Sequence, residues 1–266
     1  MKQGFALLGA VLSLALFFPI PRAALDMHFL SVGHGDAIVL RTKMGDTIVV
    51  DAGDRETGKQ VRAFLQLRGW SIDYLFITHP HPDHVGGAVY LLDLLKLKAI
   101  HSPWDDFAEP LYADLLSRMA AKDIQQVKVL KGWSYRLAPD ILIEVIHPDG
   151  KPFANINDRS LVLRVCRGDQ VLLLAGDVNT AAQQYLVETC PGKLRAQILK
   201  FPHHGSPYSL NKVFYMLVDP EIVVVSTGKS KYNYPDAGVM RFLATSGARL
   251  LRTDRDGDVH LSWPIR

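Results

Sequence analysis

The apolar residues at the start of this chain fall into short runs separated by glycine-containing turns. Residues 26 to 31, 36 to 41 and 46 to 50 are therefore predicted to be strands, with turns at Gly33-His34-Gly35 and Lys43-Met44-Gly45-Asp46. Turns this short join strands that run in opposite directions. The pattern predicts an antiparallel opening to a sheet.

Beyond residue 50, apolar runs alternate with segments of helical spacing. That spacing predicts helices over 61 to 68, 85 to 96, 110 to 121, 178 to 188 and 210 to 217, and after Asp236. Apolar runs predict strands at 72 to 77, 99 to 100, 127 to 130, 140 to 146, 160 to 166, 170 to 174, 196 to 201 and 222 to 225, and around Leu250 and Val259. Hairpins beside strand-helix-strand units predict an α/β sandwich of two mixed sheets with helices on the outer faces.

Composition and charge add little about the ligand but support one globular domain. The chain has 266 residues, 48% of them hydrophobic, and no Pro/Gly/Ser-rich linker divides it. We therefore predict a single domain over residues 26 to 266. The net charge of +3, without a basic run, gives almost no argument for a nucleic-acid ligand.

The amino-terminal segment has a different character. A basic residue precedes an apolar run from Phe5 to Ile20, which is shorter than the about 20 residues of a spanning helix, so residues 1–24 are predicted to be an export signal. Cleavage after Ala24 would leave Arg22 where a small residue is expected, so an uncleaved membrane anchor is the alternative. Both interpretations place the rest of the chain outside the cytoplasm, in the periplasm or the extracellular space.

The two cysteines are compatible with more than one state. Cys166 and Cys190 could form a disulfide in an oxidising compartment. Cys166 falls in a predicted strand, where a buried thiol is an equal expectation.

The densest chemistry lies at Thr78-His79-Pro80-His81-Pro82-Asp83-His84, directly after the strand predicted at 72 to 77. Side chains two positions apart in extended backbone point to the same side, so His79 and His81 can share a metal ion. The prolines stop the strand from running straight into a helix. Imidazole and carboxylate suit zinc, manganese or iron. Asp83 and His84 can reach a second ion beside the first.

Further candidate ligands follow other predicted strands. Asp51 comes directly after the strand at 46 to 50, Asp177 follows the strand at 170 to 174, and His203-His204 follow a third. In α/β folds, sites usually form at the carboxyl ends of strands. We therefore expect these side chains to meet the histidines near position 80.

The order His-x-His-x-Asp-His resembles the signature of the metallo-β-lactamase superfamily. The resemblance implies an αββα sandwich that binds two divalent metal ions, Zn²⁺ or Mn²⁺. The implied metal ligands are His79, His81, Asp83, His84, Asp177 and at least one of His203 and His204. Asp177 would bridge the two ions, and Asp51 would orient ligand histidines through hydrogen bonds.

Nearly all of residues 26 to 262 resembles the extracellular lactamase-like domain of ComEC-type DNA-uptake proteins. The matching blocks are Ser31 to Ala37, Asp51-Ala52-Gly53, Thr78 to Gly87, Asn157 to Leu163, Ala175-Gly176-Asp177, Leu199 to Ser206, and Arg252-Thr253-Asp254 with Asp256-Gly257. This resemblance implies a hydrolase that acts on a phosphodiester such as DNA.

The chain departs from that pattern in three places. His34 stands where the family usually has Gln; we favour its interpretation as a turn residue, and the alternative is an added polar group near the site. No clear third histidine for the first ion lies between 84 and 177; Asn157 and Ser160 represent the corresponding loop, and His147 is interpreted as structural. Tyr234 replaces the family's usual histidine and could donate a hydrogen bond to substrate.

The predicted activity follows from the paired ions. Two ions about 4 Å apart lower the pKa of a shared water and clamp the attacked and leaving oxygens, as a hydrolase requires. Asp83 or Asp177 would orient the water. Developing charge would be stabilised, or the leaving group protonated, by one of Lys200, His203, His204 and Tyr234. The alternatives are a small-molecule ester, lactone or thioester hydrolase, and a non-catalytic binding module with the same fold.

Overall fold

The structure, a computed structural model, describes residues 25–104, 110–229 and 232–264. Within these ranges, fourteen strands form two seven-stranded sheets. The first sheet consists of β1 (Leu25–Phe29), β2 (Ile38–Thr42), β3 (Thr47–Val50), β4 (Tyr74–Phe76), β5 (Ala99–Ser102), β6 (Gln125–Lys128) and β14 (Val259–Ser262), with β14 beside β1. The second consists of β7 (Ser134–Ala138), β8 (Ile141–His147), β9 (Val162–Arg167), β10 (Gln170–Leu174), β11 (Ile198–Lys200), β12 (Ile222–Val225) and β13 (Arg249–Arg252).

Both sheets change from antiparallel to parallel pairing part-way across. In the first sheet, pairing is antiparallel from β14 through β1 and β2 to β3, and parallel from β3 to β6. In the second, it is antiparallel from β7 to β10 and parallel from β10 to β13. Because parallel strands end at the same edge of a sheet, the segments after β3 and β4 are neighbours, as are those after β10 and β11.

Three apolar layers join the sheets and helices. Strand residues alternate between faces, so Ile48 points between the sheets whereas Val49 packs under helices. The helices are α1 (Gly58–Gln66), α2 (Pro82–Val85), α3 (Pro110–Ala121), α4 (Thr180–Thr189), α5 (Lys212–Val218), α6 (Ala237–Ala244) and α7 (Thr253–Asp256). Helices α1 and α3 cover the first sheet, and α4, α5 and α6 cover the second. The predicted αββα sandwich of two mixed sheets is confirmed.

The single helix predicted over 85 to 96 is wrong. The chain instead forms two short 3-10 segments after α2, Gly86–Tyr90 and Leu92–Leu94. The reason lies in a close backbone contact: a Cβ atom on Gly87 would lie 2.0 Å from the Ala52 carbonyl oxygen. The chain is pressed against the end of β3 here, and it follows the tighter 3-10 path.

Two further features differ from or resolve what the sequence indicates. Strand β7 is not predicted, because its first three residues are exposed and lack the apolar alternation that marks a strand. Cys166 and Cys190 are both free thiols rather than a disulfide.

The predicted signal or anchor, residues 1–24, lies outside the described residues. Among the residues that the structure does describe, no helix combines the length and apolar character needed to cross a bilayer.

Candidate metal centre

The histidine loop, residues 78–84, leaves β4 and crosses the end of β3. Its rings converge: His79 Nε2 lies 3.0 Å from His81 Nδ1, and the ring centroids of His79 and His84 are 4.1 Å apart. His84 Nε2 also lies 3.8 Å from Asp83 Oδ2. The loop therefore brings both pairs expected from the sequence, His79 with His81 and Asp83 with His84, into one place.

Hydrogen bonds from outside the cluster fix two of the imidazoles. The buried Asp51 accepts from the Thr78 backbone N–H at 2.8 Å and from the Thr78 hydroxyl at 2.7 Å, and it accepts from His84 Nδ1 at 2.8 Å. His204 Nδ1 donates to the Ser226 carbonyl at 3.0 Å. In both rings the outer nitrogen is occupied, so Nε2 is the nitrogen that faces inward.

The second sheet contributes Asp177, which follows β10, and His204, which follows β11. Asp177 Oδ2 lies 3.2 Å from His204 Nε2, 3.3 Å from His84 Nε2 and 3.8 Å from His79 Nε2. His204 Nε2 is also 3.3 Å from Asp83 Oδ2. Side chains from both sheets thus meet at one point.

We define the donor cluster as His79, His81, Asp83, His84, Asp177 and His204. Donor atoms bound to one zinc-sized ion lie roughly 3.0 to 3.4 Å apart, because each is about 2.1 Å from it. The separations of 3.2 and 3.3 Å around Asp177 Oδ2 match that spacing. Among the described residues, Asp177 Oδ1 is buried without a hydrogen-bond partner, a state that calls for a further partner such as a cation. The residues fit divalent metal ions.

The electrostatics of the cluster favour positive charge at its centre. Burial alone would raise the pKa of Asp177, but His204 and His84 hold that pKa well below its usual range. Burial alone would lower the pKa of His204, but Asp177 and Asp83 raise it to about 9. Burial and the nearby His84 lower the pKa of His79. The buried carboxylate is therefore ionised, and it attracts cationic groups.

The two histidines after β11 face different ways. Both have left-handed backbone, with φ of 49° at His203 and 53° at His204, and their ring centroids are 6.1 Å apart. His203 Nδ1 donates to Asn179 Oδ1 at 2.8 Å, and its Nε2 accepts from Asn157 Nδ2 at 3.3 Å. The resemblance implies at least one of these two rings as a metal ligand. In the structure, His204 lies among the donors, whereas two asparagines hold the ring of His203.

The loop expected to replace the third histidine also reaches the centre. Ser160 accepts a hydrogen bond from the Asp177 backbone N–H at 3.3 Å, and Asn157 holds His203. His147 instead ends β8 and donates to the Asp158 carbonyl at 2.8 Å, as its structural interpretation implies. This loop holds His203 with the Asn157 amide and the Asp177 backbone with the Ser160 hydroxyl, and it supplies no imidazole to the donor cluster.

Sequence reasoning missed Asp36, which follows the turn after β1. It is buried, forms a close ion pair with Lys200, and lies 3.9 Å from both His84 Nδ1 and His204 Nδ1. Lys200 is fully buried with Nζ 3.8 Å from Asp177 Oδ1. Lys200 therefore neutralises carboxylates behind the cluster instead of facing its open side. A Gly-Asp turn carries no chemical pattern that would have identified Asp36.

His34 lies beside the donor cluster, where the alternative interpretation of this residue, an added polar group, would place it. Its ring centroid lies 4.4 Å from that of His204, and burial lowers its pKa to about 4. The ring centroids of Tyr234 and Tyr232 lie 5.7 and 5.9 Å from that of His34, and the two tyrosine rings stack on each other. Tyr232 is 55% exposed, so this tyrosine pair borders the solvent-facing side of the centre.

Comparison with known proteins agrees with this fold. The sequence profile of the metallo-beta-lactamase superfamily matches residues 30–229, and the chain belongs to this superfamily. The superfamily's fold binds divalent metal ions, and the donor cluster supplies candidate ligands for them. The metallo-beta-lactamase fold protein YhfI from Bacillus subtilis has a TM-score of 0.60 at 11% identity, and the match covers 90% of this chain and 99% of that chain.

The relatives narrow the class further. ComE operon protein 3 of Bacillus subtilis (strain 168) is 26% identical over 275 residues, which is 96% of this chain and 35% of that protein. Competence protein ComA of Neisseria gonorrhoeae is 37% identical over 115 residues, which is 43% of this chain and 17% of that protein. These similarities support a ComEC-type relationship. This chain spans at most 35% of the length of these two relatives.

Proposed function

We propose that this chain is a metal-dependent hydrolase that cleaves phosphodiester bonds, with DNA outside the cytoplasm as its substrate. The observation that carries the proposal is the meeting of His84, Asp177 and His204, from two sheets, with separations of 3.2 to 3.3 Å. The similarity to competence proteins supports the nucleic-acid part of the proposal.

The donor cluster would hold two divalent ions, Zn²⁺ or Mn²⁺. One would be held by His79, His81 and Asp177, and the other by Asp83, His84, His204 and the same Asp177. When bound, such ions supply Lewis acidity at the scissile phosphate and lower the pKa of the attacking water.

The protein's own groups keep the centre in place. Asp51 and the Ser226 carbonyl fix the outer nitrogens of His84 and His204. Lys200 offsets the negative charge behind Asp177. Groups that are already in position do not have to rearrange when charge develops on the substrate. Preorganisation of this kind is usually the largest contribution to the rate enhancement.

The two carboxylates predicted to be catalytic differ in exposure, and we assign them different work. The side chain of Asp83 is 24% exposed, whereas that of Asp177 is 3% exposed. Besides helping to hold one ion, Asp83 is therefore placed to orient the attacking water, while Asp177 would only hold the ions. Tyr234, whose ring centroid lies 5.6 Å from that of His203, borders the centre and is the group placed to protonate the leaving oxygen.

The proposal is tested by incubating the purified full chain with Mn²⁺ or Zn²⁺ and end-labelled single-stranded DNA. We expect metal-dependent cleavage that His81→Ala abolishes. The matched control is His260→Ala, which removes an exposed histidine on β14, far from the donor cluster in the sheet order, and should cleave like the parent protein.

A second panel separates the proposal from its alternatives. Bis(p-nitrophenyl) phosphate should be hydrolysed with the same metal dependence as DNA, and chromogenic esters, lactones and thioesters should not. Turnover of an ester without turnover of either phosphodiester would show that the substrate is an ester and not a phosphodiester. If the purified protein holds fewer than one ion per chain after metal-replete purification and turns over no substrate, the remaining hypothesis is a non-catalytic binding module.

A further inference from the structure

His34 reaches the donor cluster from a loop outside the superfamily's histidine motif. It lies between β1 and β2, and its Nε2 is 3.6 Å from Asp83 Oδ2 while its ring centroid is 4.4 Å from that of His204. His34, Asp83 and His204 each offer one ligand atom, and these three atoms all lie within 4.8 Å of one another. This is a second set of converging donors, on the open side of the centre.

Ordinary hydrogen bonding does not account for the position of the ring. The 3.6 Å from Nε2 to the Asp83 carboxylate exceeds the range of about 2.7 to 3.2 Å for an N–H···O bond. Nδ1 of His34 is buried and has no hydrogen-bond partner among the described residues. An imidazole whose two nitrogens both lack a bond of normal length, beside a carboxylate and another imidazole, is arranged as a cation ligand.

The backbone around His34 holds it close to Asp83. A Cβ atom on Gly35 would lie 2.3 Å from the Asp83 carbonyl oxygen, and the Asp36 N–H donates to that same oxygen at 3.3 Å. On the other side, a Cβ atom on Gly228 would lie 2.5 Å from Gly33 backbone atoms. The loop that carries His34 is packed on both sides. Its backbone therefore holds the His34 ring in a fixed position beside the donor cluster.

We propose that His34 is an additional ligand of the divalent ion held by Asp83, His84 and His204. This inference rests on the proposed metal-dependent function. It adds that the two ions bind with different affinities. The half of the centre at His34 gains an imidazole. The half at His79 and His81 lacks a third one, because the ring of His203 is held by Asn157 and Asn179. The ion beside His34 therefore binds more tightly than the ion at His79 and His81.

The test measures metal binding by the full chain without reference to activity. Isothermal titration with Mn²⁺ and with Zn²⁺ gives the two affinities. The Co²⁺-substituted protein gives the number of imidazole ligands, since each ligated ring contributes one strongly shifted N–H proton resonance. The variants are His34→Gln, the residue usual in the family at this position, and His34→Ala. The control is His260→Gln, on the exposed surface of β14.

We expect the parent protein and the control to show two unequal binding steps. His34→Ala should weaken the tighter step at least about tenfold and leave the other within about twofold. Both His34 variants should lose one shifted resonance. Thermal melts in chelator establish that each variant is folded.

Equal affinities and an equal number of shifted resonances in parent and variants would overturn this inference while leaving the proposed hydrolase intact. If the parent protein binds neither ion, the inference and the proposed function both fail. Weakening of both steps by the same factor would also count against it, because His34 would then act on the whole centre.

Discussion

At the scale of single residues, two imidazoles of the donor cluster, His84 and His204, are each oriented by the partner of the outer nitrogen. Asp51 accepts from His84 Nδ1 at 2.8 Å, and the Ser226 carbonyl accepts from His204 Nδ1 at 3.0 Å. Such partners select the tautomer and raise the basicity of the ligating nitrogen. A carboxylate raises the basicity of the ligating nitrogen more than a neutral carbonyl does. Asp51 is therefore the partner to substitute.

Asp51→Asn should weaken Mn²⁺ binding and lower kcat/KM by roughly 10- to 100-fold, because the amide has one oxygen where the carboxylate has two and carries no charge beside His84. Equilibrium dialysis and steady-state kinetics measure the two effects. Asp169→Asn, at an exposed turn, is the matched control. An Asp51→Asn protein with unchanged metal affinity would show that the position of His84 does not depend on this carboxylate.

A second residue-scale prediction concerns acid stability. His28 of β1 stacks on His260 of β14 with ring centroids 4.4 Å apart, and burial together with His260 lowers the pKa of His28 to about 4. The pKa of an unfolded histidine is about 6.5. Above about pH 6.5 the ring is neutral in both states. As the pH falls from there to about 4, the unfolded chain binds the extra proton first, so the free energy of unfolding decreases.

His28→Phe keeps an aromatic ring in the stack and removes the titration. The loss of unfolding free energy between about pH 7.5 and pH 5 should therefore be smaller in His28→Phe than in the parent protein. Urea denaturation in chelator at the two pH values measures both losses. Equal losses would mean that the protonation of His28 has no part in the acid sensitivity.

Residue chemistry was predictable where it is local. The histidine loop is contiguous, so spacing alone indicated that its rings converge. Asp36 and His34 acquire their surroundings only when the loop after β1 meets Asp83 and Lys200, which are distant in sequence. The opposite orientations of His203 and His204 depend on left-handed backbone that no residue type there signals.

At the scale of elements, the two sheets place their donors in the same topological position. In each sheet, the strand at the switch from antiparallel to parallel pairing is followed by an aspartate, Asp51 after β3 and Asp177 after β10. The parallel neighbour of each is followed by histidines, His79 after β4 and His204 after β11. The strand ends thus supply a carboxylate and an imidazole from each sheet.

The close packing behind the histidine loop gives an element-scale prediction. A Cβ on Gly87 would lie 2.0 Å from the Ala52 carbonyl oxygen, so Gly87→Ala must displace backbone that supports α2. We expect a loss of about 3 kcal/mol in unfolding free energy together with weakened metal binding. Gly192→Ala is the control, since a Cβ there meets nothing within 4 Å, and it should change stability by at most about 0.5 kcal/mol. Urea denaturation measures the unfolding free energy of both variants. A loss in Gly87→Ala as small as that in Gly192→Ala would contradict the close contact with Ala52.

Elements were predictable where burial is regular. Strands with an apolar run, such as β12, and helices with one apolar face, such as α3, occur where the sequence places them. The helix expected over 85 to 96 fails because contact with Ala52 overrides local propensity. Strand β7 was not predicted, because it forms through its pairing with β8 and its own composition does not favour a strand.

At the scale of the whole molecule, the sandwich serves to bring two sheets together at one end. Mixed hairpins and strand-helix-strand units indicated the layers, whereas the pairing order of the fourteen strands among the described residues was not predicted. The rule that sites form at the carboxyl ends of strands predicted that the residues after β4 and β11 would meet, but it did not place these two strands in separate sheets. The donor cluster is the part of the structure that depends most directly on that arrangement.

An ion held by donors from both sheets would stabilise the fold as a whole. A ligand that binds only the folded state adds about 2.7 kcal/mol at a hundredfold excess over Kd, which for a chain of this size corresponds to roughly 5 to 10 °C in Tm. Thermal melts in chelator and in Mn²⁺ measure this increment. His204→Ala removes the imidazole that the second sheet supplies, so its increment should be much smaller, whatever its stability in chelator. An undiminished increment in His204→Ala would mean that the ion does not need this imidazole, and that Asp177 alone joins the second sheet to it.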